Sequence, residues 1–299
     1  MSLQKKFEKQ DKALNRQEKG LEKRLIQNYQ ASLKEVRSKL AKLYETTNGN
    51  YTDAVKFNRL AKLEKEIAKE IGKLTGKNAR TLQNGLGSMY AESYYRTAYI
   101  VEGEAAAKLG FGLLNQKVIE RAVENPLDRV GFLKRNRDNQ ARLTRQLQEQ
   151  LAQGLIQGKS YQETARNIKQ RMDVGASNVM RIVQTESHRV QQGGRLDSLL
   201  KAESAGVVMK KVWVATLDGD TRDTHQELDG QSVGLGEMFE VDGESAEYPG
   251  GFGDPAQDIN CRCSTRAEIE GYEPSVRRSE DGVVEQQTYE QWKENRIGA

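Results

Sequence analysis

The sequence predicts a mainly α protein: long amphipathic helices forming a helical hairpin and bundle, followed by a small C-terminal α+β module. Three observations predict it. Apolar residues recur at helical spacing through roughly the first 205 positions, where Pro126 is the one proline. The period changes at Val207, where a β-branched run begins and glycines then cluster. Hydrophobic residues make up 36% and charged residues 30% of the 299, too few apolar groups for one large core, so much exposed helix surface is expected.

The first helix is predicted from about Lys5 to Tyr44. Leu14, Leu21, Leu25, Leu33, Val36, Leu40 and Leu43 hold one stripe, narrow enough for a coiled-coil-like seam. At 1.5 Å per residue such a helix reaches roughly 60 Å. A narrow stripe cannot bury a helix alone, so a partner helix from this chain or another copy is required. Thr46-Thr47-Asn48-Gly49-Asn50 reads as a turn. A second helix follows with Phe57, Leu60, Leu63, Ile67, Ile71 and Leu74, and Gly76 is a candidate terminator. A third, from Gly85 to Leu109, carries Tyr90, Tyr94, Tyr95 and Tyr99, read as a packing face rather than a base-stacking platform. Asn125-Pro126 closes a short helix, and Phe132 to Ile156 forms another that ends near Gly158. Ser160-x-x-Glu163 is a capping box opening a helix over Tyr161–Met172. A further helix over Asn178–Leu200 carries Arg181, Thr185, Glu186 and Arg189. Strands are predicted over Val207–Ala215 and near Met238–Val241 and Arg262–Ala267. The expected organisation is a basic helical arm or hairpin over 1–80, a helical domain over 81–205, the α+β module over 206–270 and a polar tail over 271–299.

Charge is distributed unevenly. Residues 1–80 carry 20 basic and 10 acidic side chains, whereas residues 210–299 carry 9 and 20. A basic segment favours polyanions, and Lys5, Lys6, Lys12, Arg16, Lys19, Lys23 and Arg24 are candidates for contact with DNA. A Lys-rich solvated helix face is the plain alternative. No apolar run approaches the roughly 20 residues that span a bilayer, and the charged N-terminus lacks a signal peptide's apolar stretch. Two cysteines make no disulfide framework, which fits a reducing cytoplasm.

Residues with specific chemistry concentrate between Trp213 and Cys263. Cys261 and Cys263 are two apart, so on an extended segment both thiols face one side. With His225 as a third ligand, and a carboxylate such as Asp218, Asp220 or Asp223 as a fourth, they form a candidate zinc site. A zinc-dependent or thiol hydrolase using His225, Cys261 and Cys263 is one reading. Two small buried residues on one face is another. Asp218, Arg222 and Asp229 form a candidate charge network, with Arg222 forking a carboxylate. Asp229-Gly230, Pro249-Gly250-Gly251 and Asp254-Pro255 read as turns, the first of hairpin type. His188 reads as a solvated surface group. A phosphate-binding Gly-rich loop ending in Lys-Ser/Thr and a His-Glu-x-x-His pair are both missing from the sequence.

The order Trp213, Asp218, Arg222, His225, Asp229-Gly230, Phe239, Tyr248-Pro249-Gly250, Asn260-Cys261-Arg262-Cys263 resembles the C-terminal signature of phage Mu F-like minor head proteins, the phage head morphogenesis domain family. Gly154 to Met172, followed by Arg181-x-x-x-Thr185-Glu186, is similar to the helical part preceding that signature. The resemblance covers about residues 140–267. It implies a structural component of a tailed-phage virion, associated with the portal protein in several copies. It further implies a role in procapsid assembly and in genome packaging or delivery, beside major capsid or scaffolding protein and double-stranded DNA. It implies no catalytic activity and no established cofactor. Some family members carry an extra C-terminal toxin or transferase domain, and the stretch after Cys263 is expected to be too short for one.

Overall fold

The computed structural model describes residues 2–56, 58–124, 131–216 and 218–269, the strand stretches 277–279 and 282–284, and Glu294. Phe57, the Asn125-Pro126 helix end and the rest of the polar tail lie outside the described residues. The helices are α1 (Leu3–Thr47), α2 (Tyr51–Lys56), α3 (Arg59–Ala105), α4 (Gln116–Glu124), α5 (Phe132–Ile156) and α6 (Tyr161–Ser204). There follow β1 (Met209–Val214), α7 (Asp223–Glu227), β2 (Ser232–Gly234), β3 (Phe239–Val241), β4 (Glu244–Ala246), α8 (Pro255–Asp258), β5 (Ser264–Ile269), β6 (Arg277–Ser279) and β7 (Gly282–Val284). The mainly helical class with a small C-terminal α+β part is therefore the observed one.

Several helix ends differ from expectation. α3 runs through Gly76 and Gly85, so the second and third predicted helices are one. A glycine in a helix interior costs about 1 kcal/mol. Ile71, Leu74, Leu82 and Leu86 around these glycines are buried, and each such side chain stabilises by about 1.5–3 kcal/mol, so continuation wins. α6 likewise continues through Asp173–Ser177. Gly175 is there for packing: a Cβ at this position would lie 3.0 Å from Leu143 and 3.3 Å from the Tyr29 ring. The turn after α1 is as expected, with Asn48 and Gly49 at φ 47° and 70°.

The chain forms two compact units. One comprises Gly20–Gln83 and Phe132–Val183. In it the narrow stripe of α1 finds its partners within the same chain. Leu21, Leu25, Val36, Leu40 and Leu43 are buried, as are Ile67 and Ile71 of α3, Leu143, Leu147 and Leu151 of α5, and Ile168 and Met172 of α6. Leu33 is only partly covered, with Ser32 buried beside it. Buried amides set the register of this four-helix core, since each must find a partner. Asn139 Nδ2 donates to Tyr29 Oη at 3.2 Å and to the Gly175 carbonyl at 3.0 Å. Asn28 donates to Asn78 at 3.0 Å and Asn136 to the Thr75 carbonyl at 3.1 Å. The Ser160 capping box is present: Glu163 accepts from Ser160 N at 3.0 Å, and Ser160 Oγ accepts from Glu163 N at 3.3 Å.

The other unit comprises Met1–Lys19, Asn84–Gly131 and Gln184–Ala299. Its three-stranded antiparallel sheet has the order β2-β1-β5, with Trp213 opposite Thr265 and Lys211 opposite Ala267. Met209 and Ala267 join a core with Phe7, Tyr94, Val101 and Leu199, so the strands close against helices rather than standing alone. Tyr90, Tyr94 and Tyr95 are buried, which makes the tyrosine stripe a packing face. β3 and β4 form a hairpin whose two-residue turn, Asp242-Gly243, has positive φ at both positions (50° and 79°). This is the turn chemistry that matches strand twist. Asp229-Gly230, expected to be the hairpin turn, instead links α7 to β2. Asp254-Pro255 is a helix start rather than a free turn: Asp254 caps α8 by accepting from Ala256 N at 3.0 Å, with Pro255 as first residue.

Candidate metal centre and signature residues

Trp213 is fully buried at the end of β1 and organises the site. Phe239 (5.2 Å between ring centroids), His225 (5.5 Å) and Phe252 (6.0 Å) meet it edge-on, the arrangement favoured by ring quadrupoles. Leu228, Val241, Cys261 and Cys263 complete this core. His225 is carried by α7 and its ring stacks on Phe252 at an interplanar angle of 19°. The cysteines lie immediately before β5, in extended chain. Side chains alternate there, so both thiols are buried while Arg262 between them points out.

His225 Nδ1 is 3.4 Å from Cys263 Sγ and 3.7 Å from Cys261 Sγ. The three ligand atoms lie within 4.8 Å of one another. Asp218, Asp220 and Asp223 do not join them, so no carboxylate suggested as a fourth ligand does so. The Cys263 thiol is pushed down by its hydrogen bond with Cys261 and then by His225, while the same bond with Cys263 and burial push Cys261 up. The pair thus favours one thiolate, at Cys263, over two.

Around this centre the signature residues have structural tasks. Arg262, not Arg222, forks Asp218, at 2.6 and 2.5 Å; this holds the Asp218 carboxyl down at about 2. Arg222 Nη2 donates to the Ile259 carbonyl at 2.6 Å. Asp229 accepts from Ala215 N at 2.8 Å, and Gly230, at φ 79°, donates to the Trp213 carbonyl at 2.9 Å. The expected single charge network is therefore two separate clamps plus a turn, with Arg222 donating to the Ile259 carbonyl and Arg262 taking Asp218. Asn260 has φ 57°, a left-handed conformation that asparagine tolerates, and its N–H donates to Thr185 Oγ1 at 3.4 Å.

α6 supplies the other half of the architecture. Arg189 donates to the Ala122 and Val123 carbonyls at the end of α4 and to Glu186. Gln192 accepts from Thr265 N at 3.1 Å, and the fully buried Arg195 donates to the Thr265 carbonyl and pairs with Asp11. Pro249 and Gly250 press on His188, which is not a solvated surface group. Its Nε2 is sealed from solvent, and burial first, then the charges of Arg195 and His225, push it down to about 4. The roles of Gln192, Arg195, His188 and Asp258 are not read from the sequence. Asp258 is buried and pushed up to about 6 by that burial, although it accepts from Phe252 N and Gly253 N. Only the i, i+4, i+7 recurrence of His188, Gln192 and Arg195 on one face of α6 hints at these interactions, and an ordinary exposed face would look the same.

The seven candidate DNA-contacting side chains all lie on α1. Lys5, Lys12, Arg16, Lys19, Lys23 and Arg24 are exposed. Lys6 is partly covered and paired with Glu104.

Residues 145–266, which hold the aromatic core, the cysteines and the α6 clamps, match the family described as Phage Mu protein F like protein. Over nearly the whole chain the sequence is 33% identical to minor head protein GP7 of Bacillus phage SPP1, covering 97% of each. The chain belongs to the phage Mu F-like minor head proteins. A second relative is the NAD(+)–arginine ADP-ribosyltransferase EFV of Enterococcus faecalis, 29% identical across 99% of this chain but 62% of that protein. No solved structure matches. In this chain the signature resolves into groups that build a module: a tryptophan core, a Cys-x-Cys facing a histidine, and turns docked on a helix.

Proposed function

We propose that this member of the Mu F-like family is a structural component of a phage head, seated in several copies at the portal protein. There it would act in procapsid assembly and in packaging or delivery of the genome, with its basic N-terminal helix touching DNA. The full-length match to a minor head protein carries this reading. The disposition of side chains supports it. The signature residues are committed to core, clamps and turns, and the one Cys–His group is buried (Cys261 5%, Cys263 2%, His225 1% exposed). A thiol hydrolase needs its nucleophile accessible to substrate, so this burial argues against the hydrolase alternative. The transferase name belongs to a protein of which more than a third has no counterpart in this alignment.

DNA contact is supported by geometry on α1. At 3.6 residues per turn, Lys5, Lys12, Arg16 and Lys19 fall within about 60° of arc over about 21 Å. Such a stripe suits phosphates rather than base edges. No helix among the described residues is long and apolar enough to cross a membrane. Co-expression with the portal protein of the same phage tests the central partner. The two should co-elute as one complex in size-exclusion chromatography, and separate elution under assembly conditions would overturn the portal assignment.

A further inference from the structure

We propose that His225, Cys261 and Cys263 bind one zinc ion, through His225 Nδ1 and both sulfurs, and that this ion ties α7 to the segment entering β5. The inference concerns how the chain folds and stands apart from the portal reading. Tetrahedral zinc with Zn–S near 2.3 Å and Zn–N near 2.0–2.1 Å separates its nitrogen and sulfur ligands by about 3.6 Å. The observed separations, 3.4 and 3.7 Å, bracket that value.

The two sulfurs share an apolar core with Trp213, Leu228, Phe239 and Val241, where a bound cation would let both carry charge. Arg262, between the two cysteines in sequence, is exposed and committed to Asp218. His225 has no competing engagement: Nε2 has no hydrogen-bond partner among the described residues, and the ring is held by Phe252 and Trp213. The imidazole is thus positioned by packing, with Nδ1 toward the sulfurs. The donor set of two sulfurs and one nitrogen selects a soft or borderline divalent ion over magnesium or calcium. Three protein ligands are present, and the described residues do not supply the fourth.

The test uses the full chain purified under reducing conditions without chelator. Elemental analysis should find about one zinc per chain, and the stripped protein should take up about one Co(II), with the intense visible bands of tetrahedral cobalt and a sulfur-to-cobalt charge-transfer band. Cys261→Ser and Cys263→Ser should each weaken the charge-transfer band, while Asp218→Ala leaves it unchanged. If a serine variant fails to fold, the wild-type cobalt spectrum carries the decision alone. A wild-type chain that is folded by circular dichroism yet takes up neither Zn(II) nor Co(II) overturns the proposal, as does cobalt bound without the sulfur band.

Discussion

At the scale of single residues, the signature is a set of local geometries that few side chains satisfy. Gly250 has φ 83°, and a Cβ there would sit 2.9 Å from His188 Cδ2. Gly250→Ala should therefore lower unfolding free energy by about 1–3 kcal/mol, measured by urea denaturation. An unchanged midpoint would show that the loop does not dock on α6 as described. Asp218 offers a pH test. Paired with Arg262 its carboxyl titrates near 2, against about 3.9 for an unperturbed aspartate. The folded value is the depressed one, so the stabilisation from pairing is present above about pH 4 and is lost as pH falls through 2. NMR titration should place Asp218 near 2 in the wild type and near 4 in Arg262→Ala. Residue identity makes part of this legible. The Cys-x-Cys spacing stands out in the sequence, because a two-residue alternation has a chemical signature, whereas the left-handed backbone at Asn260 emerges only in the fold. Which arginine meets Asp218 is not legible, since Arg222 and Arg262 are equivalent until the backbone places them.

At the scale of elements, continuity is harder to read than helical character. The apolar spacing in α1, α5 and the start of α6 marks those helices to within a few residues, and the Ser160 box is formed as read. Gly76, Gly85 and Gly175 look like ends but are interior, because a glycine's local cost is smaller than the burial on either side. Gly76 is exposed, with nothing within 4 Å of an added Cβ. Gly76→Ala should accordingly stabilise the chain by about 0.5–1 kcal/mol, read as a raised thermal midpoint; a lowered one would contradict an unbroken α3 at that turn. The short strands β2 and β4 escape the sequence for a related reason. Three residues carry too little alternation, and Asp242-Gly243, the turn that decides the hairpin, is of the same dipeptide type as Asp229-Gly230.

At the scale of the whole molecule, one chain combines a polar, clamp-rich signature module with helices whose outer faces are strongly basic. The charge asymmetry visible in composition becomes, on α1, an ordered stripe. Changing Lys5, Lys12, Arg16 and Lys19 together to alanine should weaken double-stranded DNA binding at low salt. It should also flatten the slope of log affinity against log salt by about 0.9 for each phosphate no longer neutralised. Equal slopes for variant and wild type would show that this stripe does not contact phosphates. The most direct measurement of the central claim is the protein composition of purified procapsids, made with and without the portal protein. This chain should be present in a few copies beside many of the major capsid protein, and should be lost when the portal is withheld. Procapsids that lack it with the portal present, or that retain it undiminished without the portal, would contradict the claim.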